Sequence, residues 1–251
     1  MELSQSKLKP RGLEFDRRWM LVDGQGGFVS QRTHPNLAQM RVKLKSHGLI
    51  IDLGHAELSV RIPTGERIDV TVWKSSLRAP VADKQTNSVL SEWLGDNVRL
   101  VYMDEDTHRP TSAEWAAGYE TSFSDGYPVL VTNTASLAVL NDYITAQGHA
   151  PISMARFRPN VVIDTDKPWA EDDWARLQIG ETELDLVKPC TRCTVTTLDP
   201  QTGEARPEPV IEALRKFRIS TDPRNKGVLF GVNAVVRKGG ALRVGMTAQL
   251  A

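Results

Sequence analysis

The sequence predicts a mainly β fold with peripheral helices, a β-rich α+β chain. Three observations carry this expectation. Alternating apolar and polar runs dominate the first third of the chain, and strand signals outnumber helical ones beyond it. The helices that do occur are not in regular strand–helix–strand alternation, which favours partly closed barrels over a doubly wound parallel sheet. In order, residues 19–23 and 28–31 read as two strands around the Gly-rich turn 24–27. A second hairpin is predicted from residues 58–62 and 67–73 around 63–66, where Pro63 and Gly65 supply the turn. The polar stretch 74–86, with Pro80, breaks the pattern and precedes a helix-like run at 89–94. A domain boundary is placed there, giving an N-terminal β-barrel-like domain over 1–84 and a second β-barrel domain over 85–251.

In the second part, 129–132 reads as a strand, and Asn133 or Thr134 can cap a helix over 135–147. Leu137, Leu140 and Ile144 fall on one face of that helix, and Gly148 stops it. Strands are expected at 161–164, 184–187, 194–198, 228–236 and 242–244, with a further helix at 210–217. There is no tandem repeat or low-complexity tract.

Composition narrows the functions. The 251 residues carry 31 Lys+Arg against 31 Asp+Glu, a net charge of zero, without the cationic excess that drives binding to polymeric nucleic acid. With 40% hydrophobic and 25% charged residues the chain has the make-up of a globular protein. No run approaches the ~18 apolar residues of a membrane span, and the polar start lacks a secretory core, so the expectation is a cytoplasmic protein off the membrane. The two cysteines, Cys190 and Cys193, form one Cys-x-x-Cys and cannot staple distant segments.

That pair sits in Lys188-Pro-Cys-Thr-Arg-Cys193 and leaves several chemistries open: half a zinc site, a redox dithiol, a ligand to a metal cofactor, or two packed thiols. Zinc would need two more ligands, and the five histidines are scattered. A thioredoxin-like pair normally opens a helix, whereas the β-branched residues after Cys193 predict a strand. As a ligand to a soft metal, one thiolate would gain from Lys188 and Arg192 beside it. Arg17-Arg18 and Arg156-Phe-Arg158-Pro-Asn160, each just before a predicted strand, are further anion-binding candidates.

Six segments occur together in an order that resembles a known family. They are Asp16-Arg17-Arg18-Trp19-Met-Leu-Val-Asp23, Phe123-Ser-Asp-Gly-Tyr-Pro128, Phe157-Arg-Pro-Asn160, Trp169-Ala-Glu-Asp-Asp-Trp174, Lys188-Pro-Cys-Thr-Arg-Cys193 and Leu229-Phe-Gly231. The chain is similar over essentially its whole length to MOSC-domain proteins with an N-terminal MOSC β-barrel, such as the mitochondrial amidoxime-reducing component and its bacterial relatives. The resemblance implies the molybdenum cofactor, a pterin dithiolene holding molybdenum, with Cys193 as both catalytic residue and protein ligand to the metal and Cys190 as a neighbour. It implies Arg17 and Arg158 as partners of the cofactor's phosphate and pterin. Asp125, Tyr127, Asn160, Thr191, Arg192 and Asn233 are further pocket residues.

The implied activity is reduction of N-hydroxylated small molecules (hydroxylamines, amidoximes, hydroxylated nucleobases) by oxygen-atom transfer to molybdenum. Asp125 and Asp199 are the available guesses for a proton donor. No cysteine follows Cys193 in the 251 residues, unlike relatives that carry a C-terminal ferredoxin domain, so the electron source the resemblance implies is expected to be a separate ferredoxin- or flavoprotein-type partner. The family's opening strand and its Lys-Ser motif lie upstream of the segment resembling 2–23, so the chain is expected to start after it. The rival readings are a non-catalytic molybdenum-cofactor carrier or sulfur-handling protein, and an apo β-barrel binding module.

Overall fold

A computed structural model describes residues 3–250, and its architecture is the mainly β one that the sequence predicts. The chain opens with β1 (Gln5–Lys9), β2 (Gly12–Leu13), β3 (Trp19–Asp23), β4 (Arg41–Lys45), β5 (Gly48–Asp52), β6 (Glu57–Arg61), β7 (Arg67–Val72) and β8 (Ser75–Pro80). Helix α1 (Lys84–Leu94) and β9 (Val98–Tyr102) follow, then α2 (Ala113–Ala116), β10 (Val129–Asn133), α3 (Thr134–Ala146) and β11 (Val161–Ile163). The last part runs β12 (Arg176–Ile179), β13 (Thr182–Thr191), α4 (Val210–Phe217), β14 (Leu229–Lys238), β15 (Gly240–Arg243) and β16 (Ala248–Leu250).

Strand β3 shows how alternation organises the first part. Successive side chains point to opposite faces of a strand. Met20 and Val22 therefore enter one core with Val70, Val72, Val101 and Met103, while Leu21 enters another with Leu49, Ile51, Val60, Leu90 and Leu94. Its antiparallel partner is β9, which divides its residues the same way, with Leu100 opposite Leu21 and Val101 opposite Met20. The β3–β9 ribbon is thus a wall between two cores. Each fully buried aliphatic side chain on it contributes about 1.5–3 kcal/mol.

The strands predicted for the second hairpin form, but they pair differently. Strand β6 pairs with β5 and β7 pairs with β8. The reason lies in the turns. Trp73 and Lys74 close β7 directly onto β8, with Val72 opposite Ser75, whereas Pro63 has no N–H to give a ladder and the 63–66 stretch only links two sheets. The predicted break at 74–86 therefore holds a strand and the start of α1, which Asp83 caps by accepting the Thr86 N–H at 2.8 Å. The first predicted hairpin closes its turn, since the Asp23 carboxylate accepts the Gln25 and Gly27 N–H groups at 2.8 Å each. Its second arm is reduced to a single Val22–Phe28 bridge.

The second part is built on a six-stranded, barrel-like sheet in the order β11-β10-β14-β13-β12-β16. One parallel crossover, β10–α3–β11, interrupts an otherwise antiparallel ladder. Asn133 caps α3 as expected, accepting the Ala135 N–H at 2.8 Å. Leu140 and Ile144 of α3 pack with Val210, Ala213 and Leu214 of α4 over Phe157 and Phe230, whose rings stack 3.8 Å apart. Among the described residues no helix is long and apolar enough to cross a membrane.

Strand β13 runs to Thr191 and carries Cys190 within it, with Pro189 accommodated beside register shifts. The strand expected at 194–198 is not there. Thr194–Thr197 is a single 3-10 turn. Thr196 Oγ1 donates to the Cys193 carbonyl at 2.9 Å and Thr197 Oγ1 to the Thr194 carbonyl at 2.7 Å, so hydroxyls that bond their own backbone override the β preference of their branched side chains.

Candidate functional site

Cys193 lies where β13 has ended and the 3-10 turn begins, with its thiol half-buried. Arg32 Nη2 donates to its Sγ at 3.4 Å across 161 residues of chain. Arg192 turns the other way, with Nη1 donating to Cys190 Sγ at 2.9 Å and Nη2 to the Phe157 carbonyl at 2.9 Å. The two thiols of the motif thus face different guanidinium groups. The strand that was to argue against a dithiol is absent, but the separate engagement of each sulfur gives the pair unequal surroundings.

Arg158 follows the short turn Met154–Phe157 in a left-handed conformation, φ +53°, and Arg17 is likewise left-handed at φ +50°. Each such non-glycine residue costs roughly 1–2 kcal/mol, and strain of this kind collects at functional sites. The two are tied together. Arg17 Nη2 donates to the Arg158 carbonyl at 3.1 Å and its Nη1 to the Asp16 carboxylate, which also accepts Asn160 Nδ2 at 2.7 Å. Asn160 Oδ1 in turn accepts the Leu130 N–H of β10 at 2.9 Å. Asn160 is therefore a clamp with both ends of its amide in use, and it fixes the arginines to the sheet.

The electrostatics are one-sided. Among the described residues, Arg32, Arg158 and Arg192 have no carboxylate within salt-bridge distance, although most arginines of the chain do. Crowding by the surrounding protein, and then repulsion from Arg17, pushes the Arg158 guanidinium below its ordinary value. Asp125, exposed, is the carboxylate that opposes this most. Arg192 Nε is buried without a hydrogen-bond partner. A buried unpartnered donor costs about 1–3 kcal/mol.

Other predicted residues stand apart from this cluster or beside it. Tyr127 packs with Ala116 and Val235, and Lys188 lies 5.9 Å from its ring centre and 5.5 Å from that of Trp115. Tyr127 is thus buried in a core cluster, and Lys188 is an amphipathic cover on aromatic rings. Asn233 sits on β14 between Leu130 and Lys188 in register, one strand from the Asn160 clamp. Thr191 ends β13 opposite Leu229 and lies between the two cysteines in sequence. Arg156, an anion-binding candidate in the sequence, is instead buried in an ion pair with Glu208 at 2.8 Å. Asp199 is a poor proton donor. The Gln201 and Thr202 N–H groups bond its carboxylate and hold its pKa below the ordinary value.

Two residues that sequence reading missed, Gln31 and Arg32, come from the loop after the first turn. Gln31 Oε1 accepts from Arg158 Nη1 at 3.5 Å. Nothing in the local Gln-Arg-Thr-His pattern marks them, because their partners are more than a hundred residues away. The same loop seats the turn that follows Cys193. Gly203, at φ +77°, passes so close to Pro35 that a Cβ would lie 1.9 Å from its carbonyl oxygen. Gly203→Ala is therefore expected to destabilise the protein by at least the roughly 1–3 kcal/mol of the backbone conformation alone, read by urea denaturation, with the steric clash added.

Comparisons with known proteins match two family models to the chain. Residues 1–97 match the family described as MOSC N-terminal beta barrel domain, and residues 118–249 match the MOSC domain. Among curated proteins, the chain is 32% identical over 243 residues to mitochondrial amidoxime-reducing component 1 of Danio rerio, covering 92% of this chain and 72% of that protein. It is 29% identical over 246 residues to mitochondrial amidoxime reducing component 2 of Rattus norvegicus, covering 92% and 71%. Among solved structures, YiiM from Geobacillus stearothermophilus aligns with 57% of this chain and 71% of its own at 13% identity and a TM-score of 0.36.

Proposed function

The chain belongs to the MOSC domain family, and from that premise we propose that it is a molybdenum-cofactor-dependent oxidoreductase acting on N-hydroxylated small molecules. Hydroxylamines, amidoximes and hydroxylated nucleobases are the substrate classes. The observation that carries this reading is the half-buried Cys193 thiol bonded by Arg32, with Arg158 and Arg192, which like Arg32 lack carboxylate partners, on the adjoining segments. The donor set fits the group. A soft thiolate suits molybdenum alongside dithiolene sulfur, and guanidinium forks suit a phosphate. Among the described residues no three of His, Cys, Asp and Glu gather as a metal site.

In this reading Cys193 ligates the metal, while Arg17, Arg158 and Arg192 grip the phosphate and pterin. Asn160 and Asp16 hold Arg17 in place, and Arg17 in turn bonds the Arg158 carbonyl. Asn233, Thr191 and Asp125 line the rim. When bound, the cofactor supplies the two-electron removal of oxygen from an N–OH group, which consumes two protons and releases water and the amine or amidine. The protein's own contribution is orientation and charge. A separate ferredoxin- or flavoprotein-type donor would deliver the two electrons.

The test is reduction of benzamidoxime to benzamidine by the molybdenum-loaded protein with a chemical reductant. Turnover supports the enzyme, whereas cofactor bound tightly with no turnover supports the carrier reading. Arg158→Ala is expected to cut the molybdenum retained through gel filtration several-fold with little change in thermal midpoint, because it removes a charge-assisted contact and little core area.

A further inference from the structure

Trp73 closes the β7–β8 hairpin at φ +55°, in a turn position that glycine or asparagine suits and a bulky residue does not. The strained backbone does not bring full burial in return. The side chain is 41% exposed and belongs to none of the core clusters among the described residues. Its orientation is nevertheless fixed on two sides. Phe28 meets it edge-on with ring centres 5.7 Å apart, and the Arg32 guanidinium stacks 4.6 Å over its ring. That same Arg32 donates to Cys193 Sγ. The indole is therefore one guanidinium away from the thiol, held open to solvent on a tip that the second part of the chain does not supply.

We propose that Trp73 is a specificity-determining wall of the site, against which the flat aromatic part of an N-hydroxylated substrate stacks as its N–OH group reaches the metal that Cys193 would hold. The proposal rests on the N-reductive reading above. Arg32 sets the tilt of the wall and presents its own planar face beside it, so the pair favours aryl and heteroaryl compounds over small aliphatic ones. The first part of the chain thereby selects substrates for chemistry held by the second.

The experiment compares benzamidoxime with acetamidoxime on the molybdenum-loaded wild type, Trp73→Gly and Trp73→Phe, by steady-state kinetics and by calorimetric binding. Trp73→Gly is expected to weaken benzamidoxime relative to acetamidoxime by about tenfold in both KM and Kd, the size of a lost aromatic stack. Trp73→Phe should recover most of that preference. The thermal midpoint of Trp73→Gly should hold or rise, since glycine adopts this conformation freely. Equal shifts for both compounds, or a lowered midpoint with the preference intact, would overturn the wall and make Trp73 a structural residue. If the wild type reduces neither compound, the N-reductive reading falls, and the calorimetric ratio still decides whether Trp73 selects aromatic ligands.

Discussion

Cys193→Ser is expected to reduce both retained molybdenum and N-reductive turnover to background, while Cys190→Ser keeps each within about fivefold, the size of one altered hydrogen bond. The asymmetry follows from the surroundings of the two sulfurs. Cys190 lies within β13 and receives Arg192 Nη1 at 2.9 Å, a bond that a serine oxygen can also accept. Cys193 stands at the open end, touched by Arg32 alone among the guanidiniums, and a hard hydroxyl there is a poor ligand for a soft metal. Molybdenum analysis and benzamidoxime reduction of the two variants check this. Equal loss from both would point to a paired dithiol instead.

The second large effect is expected away from the thiols. Glu208→Ala should cost about 3–5 kcal/mol of folding stability, because it strands the buried Arg156 charge. Both partners are 6% exposed. Arg156 also donates to the Thr196 carbonyl at 3.3 Å, so the pair ties the turn after Cys193 to the segment that carries Arg158. Burial alone would raise the Glu208 carboxyl, but backbone and Arg156 hydrogen bonds outweigh it and hold its pKa below the ordinary 4.5. The sign follows from that depression. The stabilisation is fully present above the unfolded value and is lost as pH falls through the lower folded one. Denaturation of the variant should therefore show a deficit at pH 7 that narrows in acid. Replacing both partners with Met and Leu should recover much of the loss, as apolar replacement of buried pairs does elsewhere.

What sequence could and could not show divides along chain distance. Cys193, Arg17 and Arg158 stand out in the sequence as candidates because each sits in a short segment whose neighbours carry the resemblance. The Asn133 cap and the Leu140–Ile144 face of α3 were legible because capping and helical periodicity are local rules. Strand partners were not, since the same alternation serves β6 with β5 or with β7, and only turn geometry and burial decide. Asn160 showed its place but not its role, because its partners Asp16 and Leu130 lie 144 and 30 residues away. Arg32 and Trp73 were invisible as a pair for the same reason. Thr194–Thr197 misled because β-branched residues favour strands until their hydroxyls find nearby carbonyls.

The central claim is that the arginine cluster and Cys193 together hold a molybdenum cofactor. Its most direct test is the molybdenum content of the wild-type chain purified from a molybdenum-replete host, with zinc and iron measured alongside. The account predicts molybdenum approaching one atom per chain, accompanied by phosphate-bearing pterin released on denaturation. Protein that folds and stays free of molybdenum under those conditions, or that carries zinc at the cysteines instead, would contradict it.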